Sequence, residues 1–435
     1  MLHRRRELLF FTILLLAGLL LRLAYLSYTD YETRSNDVYG HIDYIVYVAS
    51  NMSFPTKDQC WECFQPPLYY LISGFYYKAL MFLDVADRYF WLQLLSLAFF
   101  MGFLIFAVKI FDYIFAEPRL KKLASIFLVF WPAGIIHSVR IGNDVLLYFL
   151  YTAGLFFLLR WHKEDKKVDL LLSVLLGSFA VCTKQNGFIL LLLILIVFLL
   201  KLYRSKGRGN FFKQNGYALI IIAAAFLPLL TTYLVAGSKK ANDHDWWLVA
   251  NSQYLPEWLA VENKPIDYLK LDLHSYLKYP YIYSWSDATG RQFFWNYLLK
   301  SSLYGEFQLF YGFPYDQLVK AMNIVLVIII IFVFIWVISN LGQIIRTNVI
   351  LLLNGLLLLL SVLYLRIKTP VACSSDFRYI LPILVTTSAF YAMAVNDLAV
   401  KGRLMAAKAG YFIGIVFSAM SVAFFVLPVI KQYLL

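Results

Sequence analysis

Long runs of apolar residues without a single charge constrain this chain more than any other feature of its sequence. Three of them are Leu8–Leu21, Phe188–Leu200 and Ile324–Ile338. Charged residues make up only 15% of the 435 residues, against roughly a quarter in soluble domains. Soluble cores of this size cannot hide all of these runs, whereas an apolar helix of about 20 residues spans a bilayer. The sequence therefore predicts an all-α polytopic membrane protein.

The apolar runs predict about eleven transmembrane helices. These spans are expected near residues 8–28, 89–110, 122–139, 145–160, 168–183, 186–203, 214–236, 317–340, 347–365, 377–398 and 409–430. A further apolar segment at 68–83 is short and rich in tyrosine. Amphipathic segments of this kind lie in the membrane interface. We therefore expect residues 68–83 to lie in the outer interface and not to cross the bilayer.

The positions of the basic residues, more than the net charge of +13, indicate how the chain is oriented in the membrane. Lys and Arg in short loops mark the cytoplasmic side of a membrane protein. If Arg4–Arg6 lie inside and residues 68–83 do not cross, the basic loops all fall on the inside. The sequence thus predicts a cytoplasmic N-terminus and two long outward segments, 29–88 and 237–316. Because topology explains the basic residues, no nucleic-acid partner is expected.

Ionisable residues gather at the predicted outer boundary of the membrane. They are Asp37, His41 and Asp43 in the first outer segment, and Arg140, Asp144, Lys184, Asp376 and Arg378 beside later spans. Charges near hydrocarbon are costly and are usually functional. Cations hold phosphate, and a carboxylate accepts a proton from an attacking hydroxyl. The group therefore suits an amphiphile with an anionic head. Taken alone, however, Arg140 or Lys184 is better explained as a long cationic side chain that reaches water.

Two smaller patterns lie in the first outer segment. Asp37 and His41 are four residues apart, which places both on one face of a helix. With Asp43 nearby they form a candidate metal pair, but such a pair is more often a structural hydrogen bond, and a metal needs at least three protein ligands or a substrate ligand. Cys60 and Cys63 have the spacing of a local disulfide on the outer side.

The order of these motifs resembles that of the C-type (GT-C) membrane glycosyltransferases. Asp37 is followed by Gln65-Pro-Pro-Leu-Tyr-Tyr70, then by Arg140-Ile-Gly-Asn-Asp144 and Thr183-Lys-Gln-Asn-Gly187. Within that family the chain is similar to bacterial protein O-mannosyltransferases and lipid A aminoarabinose transferases. The resemblance covers about the first 200 residues and the late element Ser375-Asp-Phe-Arg-Tyr-Ile-Leu-Pro382.

The resemblance implies a glycosyltransferase that takes a sugar from a polyprenyl-phosphate donor and transfers it, with inversion, to a glycan, lipid or protein acceptor. It implies an active site that faces outward from a bacterial inner membrane and lies among membrane lipids. No cofactor is expected to be required, and a divalent metal is optional. The resemblance implies catalysis by Asp37, the base, and Asp144, and donor phosphate binding by Lys184 and Arg378. We further expect Arg140 to bind the donor phosphate. We expect the substrate to be bound by His41, Asp43, Gln65, Tyr69, Asn143 and Asp376.

The implied organisation has three parts. Residues 1–236 form a catalytic transmembrane module similar to that of the GT-C enzymes, with the first outer loop at 29–88. Residues 237–316 form an outer loop that serves as a lid or acceptor-binding element, and residues 317–435 form the C-terminal transmembrane helices. Two other functions suit the same amphiphile: a polymer ligase for a preassembled lipid-linked glycan, and a flippase or transporter for a lipid-linked sugar. Transporters usually place ionisable groups near the bilayer midplane, whereas these residues gather at one boundary.

Overall fold

The structure is a computed structural model that describes residues 2–33, 35–205, 208–223, 256–283, 285–310 and 312–434. These residues form α-helices joined by loops and short 3-10 turns. Within these ranges there is no β-strand, and an isolated bridge joins Ala260 and Val371. The predicted all-α class is confirmed.

The helices are numbered here in chain order. Their bounds are α1 Leu2–Ser27, α2 Val38–Asn51, α3 Leu68–Ala79, α4 Val85–Ile114, α5 Pro118–Val129, α6 Pro132–His137, α7 Asp144–Glu164, α8 Lys167–Thr183, α9 Phe188–Arg204, α10 Arg208–Asn215, α11 Pro265–Leu269, α12 Leu273–Lys278, α13 Phe294–Tyr304, α14 Tyr315–Ser339, α15 Leu341–Thr347, α16 Val349–Lys368, α17 Ile383–Val400 and α18 Leu404–Leu434.

Eight stretches of the described residues are helical, long and apolar enough to cross a membrane. They are Arg5–Ser27, Val85–Ile114, Asp144–Glu164, Gln185–Arg204, Tyr315–Ser339, Val349–Lys368, Ile383–Val400 and Leu404–Lys431. Each of them coincides with a span predicted from the sequence. The protein is therefore a polytopic membrane protein, but the predicted count of eleven spans is not confirmed.

The single continuous helix expected at 122–139 is interrupted. Helix α5 ends at Val129, and α6 begins only at Pro132. Proline lacks an N–H group and disfavours the helical conformation in the residue before it. Trp131 accordingly has extended backbone angles, φ −65° and ψ 127°. The apolar run continues through a break in the helix, so two short helices replace the expected span.

Three other apolar segments of the sequence are not among these eight stretches. Residues 168–183 are helical, but α8 has 17 residues, the lower end of the range of roughly 17–25 that spans a bilayer. Of the segment 214–236, residues 217–223 are helical, and residues 224–236 lie outside the described residues. At 68–83, helix α3 has only 12 residues, too few to cross.

The chain divides into two compact units. The first unit contains Met1–Asp30, Val108–Ser138 and Leu255–Leu435, and the second contains Tyr31–Ala107 and Val139–Tyr254. The predicted functional division at residues 236 and 316 stays a prediction.

The first unit brings the two ends of the chain together. Tyr25 of α1 packs edge-to-face on Phe425 of α18, with ring centroids 5.3 Å apart. The described part of the predicted outer loop 237–316 also folds onto this unit, since Val261 N donates to Pro370 O at 3.0 Å. Residues 237–255 of that loop lie outside the described residues. Helix α13 is buried within the unit along its length.

The second unit positions most of the predicted site residues. Helices α2 and α3 pack through aromatic rings, with Tyr44 stacked on Tyr70 at a centroid distance of 3.8 Å. Helices α7 and α8 lie close together, and Ser173 Oγ in α8 donates a hydrogen bond to the carbonyl oxygen of Gly154 in α7 at 2.9 Å. The charged motifs of the sequence lie at the start of α7 and at the end of α8.

Candidate functional site

The imidazole of His41 lies at the centre of the candidate site. Asp37 is the N-cap residue of α2, and His41 follows one turn later, with only 6% of its surface exposed. Its Nδ1 lies 2.8 Å from the hydroxyl oxygen of Tyr70 in α3. On the other side, a Cβ atom at Gly142 would lie 3.2 Å from His41 Nε2. The ring is therefore held between α3 and the turn that precedes α7.

Four charged side chains act electrostatically on this ring. Burial lowers the pKa of His41 to about 3, the largest effect. The carboxylates of Asp37 and Asp144 oppose that shift, whereas the cations of Lys184 and Arg140 add to it. His41 is therefore neutral at physiological pH, and the structure gathers two predicted carboxylates and two predicted cations around it.

Asp144 and Lys184 form an ion pair at this site. Lys184 Nζ lies 2.6 Å from Asp144 Oδ1, and the two side chains are only 11% and 16% exposed. Asp144 is the first residue of α7, and Lys184 follows the last residue of α8 with extended backbone angles. A single 3-10 turn, Gln185–Gly187, then leads into α9. The Thr-Lys-Gln-Asn-Gly motif is thus the turn that directs the lysine towards the start of α7.

Amide side chains join this turn to the first outer segment. Asn143 Nδ2 donates to Gln65 Oε1 and to Thr183 O, both at 3.2 Å. Gln65 Nε2 in turn donates to Glu62 Oε2 at 3.0 Å. Asn143 is fully buried, so these bonds are shielded from competition with water. The chain of amides connects the turns before α3, before α7 and after α8.

Two further bonds anchor the turn before α7. The backbone N–H of Gly142 donates to the hydroxyl oxygen of Tyr69 at 3.0 Å. Arg140 Nη2 donates to Ser35 Oγ at 3.5 Å. The predicted residues Tyr69 and Arg140 therefore belong to the same assembly as Asn143 and Asp144.

Asp43 stands apart from this assembly. It lies two residues beyond His41 in α2, which turns it towards the opposite face of the helix, and it is exposed. Asp37 is partly buried and acts on His41. The structure therefore brings together Asp37 and His41 but places Asp43 elsewhere.

Glu62 is a buried carboxylate that the sequence did not single out. Only 5% of its surface is exposed, and a Cβ at Gly40 would lie 2.9 Å from its Cγ. It lies between Cys60 and Cys63, which form the predicted local disulfide. A glutamate between two cysteines carries no sequence signal for burial. The one sequence feature that could have suggested the burial of Glu62 was the predicted disulfide, because a cross-linked loop can keep a side chain buried.

Asp376 and Arg378 lie in the first unit, whereas the other predicted site residues lie in the second. Arg378 Nε is 3.2 Å from Asp376 Oδ2, and Asp376 Oδ1 accepts a hydrogen bond from Arg378 N at 3.1 Å. Asp376 is fully buried. The predicted contact of Arg378 with the donor phosphate stays a prediction.

A metal site needs several ligands at once. Across the residues that the structure describes, no three His, Cys, Asp or Glu side chains are grouped so that they could hold a metal ion. In the candidate pair of Asp37 and His41, the histidine Nδ1 contacts the Tyr70 hydroxyl. The optional divalent metal stays a prediction.

No protein-family model matches the chain, and no curated protein matches it. Among solved structures, the chain is similar to the crystal structure of ArnT from Cupriavidus metallidurans bound to undecaprenyl phosphate, with a TM-score of 0.52 and 12% sequence identity. The alignment covers 89% of this chain and 60% of that one, so this chain spans less than two thirds of the ArnT chain. The apo structure of the same ArnT gives a TM-score of 0.43 at 11% identity, with 95% and 77% covered.

At this identity the likeness concerns the fold. It agrees with the resemblance found in the motifs, because ArnT is a lipid A aminoarabinose transferase with the GT-C fold. The chain therefore shares the fold of ArnT, that of a polytopic GT-C membrane protein.

Proposed function

We propose that this chain is a glycosyltransferase that moves a sugar from a polyprenyl-phosphate donor to an acceptor hydroxyl on the non-cytoplasmic face of a bacterial inner membrane. One observation carries the proposal: a chain with the fold of ArnT gathers Asp37, Asp144, Lys184 and Arg140 around one buried histidine. The ArnT structure holds undecaprenyl phosphate, a lipid whose head is a phosphate. Cations at the end of apolar helices suit such a head.

Lys184 and Arg140 are assigned to the donor phosphate. Negative charge grows on that phosphate as its bond to the sugar breaks, and fixed cations stabilise charge that develops in a transition state. An ammonium group has three N–H donors. Lys184 is therefore able to remain bonded to Asp144 while it contacts the phosphate. In this assignment Asp144 holds Lys184 in place.

Asp37 is assigned as the general base. Asp144 already accepts a hydrogen bond from the ammonium group of Lys184 at 2.6 Å, so that carboxylate oxygen is engaged within the protein. Asp37 accepts the proton of the acceptor hydroxyl while the hydroxyl oxygen attacks the anomeric carbon. The new C–O bond forms opposite the breaking one, polyprenyl phosphate departs, and the anomeric configuration inverts. The step requires no redox cofactor.

Gln65, Tyr69 and Asn143 are assigned to positioning and not to direct contact with the sugar. Their polar atoms bond to Glu62, to the backbone of Gly142 and to Thr183. These bonds hold the turns that present Asp144 and Lys184. Neutral His41 packs against the same turn and fills the space between it and α3.

The test is to incubate the purified full chain with a panel of undecaprenyl-phosphate monosaccharides and acceptor extracts. Release of undecaprenyl phosphate, together with a glycosylated product of inverted anomeric configuration, is the expected result. Movement of the lipid between leaflets without release would overturn the proposal in favour of a flippase. Activity only with a diphosphate-linked oligosaccharide would overturn it in favour of a polymer ligase.

A further inference from the structure

Lys300 is a buried cation that the proposed function does not use. It lies in α13 of the first unit, and only 3% of its surface is exposed. Its Nζ donates one long hydrogen bond, to Ser275 O at 3.4 Å. Among the described residues no carboxylate forms an ion pair with it, and Asp272 acts on it only at longer range. Buried charges are ordinarily paired, and an ammonium group has three donors to satisfy.

The same lysine lines a small cleft on the described part of the segment 237–316. Its neighbours there include Tyr283, Gly290, Arg291 and Asn296. Gly290 has φ +79°, and a Cβ there would lie 2.2 Å from Ser275 Oγ. Glycine is therefore needed for the loop to approach α12 and to form this wall of the cleft.

The other donors of the cleft are engaged within the protein. Arg291 bonds to the carboxylate of Asp287 and to the carbonyl oxygens of Trp258 and Ala260. Asn296 Nδ2 donates to Asp272 O at 3.1 Å and to Ser275 Oγ at 3.0 Å. Lys300, with one long hydrogen bond, keeps donor capacity that the described residues do not use.

The aromatic ring of Tyr276 lies near the lysine. Lys300 Nζ is 5.5 Å from the centre of the Tyr276 ring, and the hydroxyl oxygen of Tyr276 is buried without a hydrogen-bond partner among the described residues. Burial lowers the pKa of Lys300 to about 7. This lowered pKa leaves a share of neutral amine at pH 7, and an anion in the cleft would favour the ammonium form.

We propose that this cleft binds a small oxyanion, a phosphate or carboxylate group, through the ammonium group of Lys300. The site lies outside the assembly around His41, so it goes beyond the proposed transfer reaction. The group comes either from a soluble ion or from the head of a lipid or glycan, which share the same chemistry. Neither source requires a sugar donor, and the proposal therefore stands or fails apart from the glycosyltransferase assignment.

The test measures the reactivity of individual lysines in the full chain in detergent. The protein is treated with acetic anhydride at pH 7 in two buffers of equal ionic strength, one containing inorganic phosphate and the other sodium chloride. Acetylation of each lysine is measured by peptide mass spectrometry. A rise of one unit in the pKa of Lys300 lowers its amine fraction at pH 7 about fivefold. We expect phosphate to protect Lys300 by about that factor. The exposed Lys278 in α12 is the internal control and keeps its reactivity.

Variants separate binding from folding. Lys300→Met should lose saturable phosphate binding in calorimetry, Lys300→Arg should retain it, and Lys278→Met should bind as the unaltered chain does.

A second comparison distinguishes a lipid head from a soluble ion. The acetylation of Lys300 is measured in nanodiscs that contain phosphatidate and in nanodiscs of phosphatidylcholine alone. Equal protection by chloride, equal protection of Lys278, or unchanged phosphate affinity in Lys300→Met would each overturn the proposal. A phosphate-dependent rise in the unfolding temperature of Lys300→Met would do the same.

Discussion

The ammonium nitrogen of Lys184 lies 2.6 Å from a carboxylate oxygen of Asp144, although 40 positions separate the two residues in the chain. Both side chains are largely removed from water. Removal of one partner from such a pair costs more than the attraction itself, because the remaining charge is left buried and uncompensated. The pair is therefore a structural bond between the start of α7 and the end of α8 as well as part of the proposed phosphate site.

These two roles predict different behaviour in a double-mutant cycle. Lys184→Met and Asp144→Asn should each destabilise the protein, by up to about 3–5 kcal/mol for a fully buried pair and less here because both side chains retain some exposure. The double variant should regain much of that stability but remain defective at limiting donor, because it lacks the cation. Thermal unfolding and initial rates provide the two readouts. If the double variant also regained full turnover, Lys184 would have a structural role only.

Asp37→Asn should abolish sugar transfer while the protein stays folded and binds its donor. A positioned general base contributes roughly 10²–10⁴-fold to the rate, and an amide accepts no proton at neutral pH. Asp58→Asn is the matched control, since Asp58 is an exposed carboxylate in the same outer segment. The measurements are the release of undecaprenyl phosphate and the affinity for donor. Near-normal turnover of Asp37→Asn would remove the assignment of the base.

The membrane-spanning helices were largely predictable, because an uncharged apolar run has few structural alternatives in a chain of this composition. The break at Pro132 was not predicted. The proline is visible in the sequence, but the residues around it are as apolar as those of a continuous span. Hydropathy measures how favourably side chains enter the membrane. It does not register the backbone hydrogen bond that proline removes from a helix.

The residue types of the candidate site could be read from the sequence, but their contacts could not. The sequence placed Lys184 and Asp144 at neighbouring outer turns, and only packing of α7 on α8 makes them an ion pair. Glu62 was missed because its burial depends on the fold of the disulfide loop. Asp43 is close to His41 in sequence, yet the helical period directs it away.

The pKa of His41 predicts a specific loss of stability in acid. Burial lowers this pKa from 6.5 to about 3 in the folded protein, while the unfolded chain still takes up a proton near pH 6.5. The unfolded state therefore binds more protons between those values, and stability falls as the pH falls below about 6.5, by up to about 1.4 kcal/mol for each pH unit. The check is the unfolding temperature from pH 7.5 to pH 4.5.

His41→Gln is the variant for that titration. Glutamine is neutral throughout the range and has both a donor and an acceptor for the Tyr70 hydroxyl. The unfolding temperature of the variant should therefore fall less steeply with acid than that of the unaltered chain. Parallel curves for the two proteins would show that His41 is not the titrating group. An opposite slope would place its folded pKa above the ordinary value.

Gly187→Ala should disrupt the turn that presents Lys184. The backbone of Gly187 is ordinary, with φ −57° and ψ −24°, so the constraint is space and not conformation. A Cβ atom would lie 2.3 Å from the carbonyl carbon of Ala180 and from Val181 N. Backbone atoms of α8 cannot give way as a flexible side chain does, and forced overpacking costs about 1–3 kcal/mol. We expect a lower unfolding temperature and weaker donor binding.

Gly342→Ala is the matched control for that substitution. A Cβ at Gly342 in α15 meets nothing within 4 Å, and alanine in place of a helical glycine stabilises by roughly 0.5–1 kcal/mol. The two substitutions add the same methyl group, so their opposite signs isolate the close approach of the Gln185–Gly187 turn to α8. If Gly187→Ala unfolded at the same temperature as the unaltered chain and bound donor equally well, that close approach would not determine the position of Lys184.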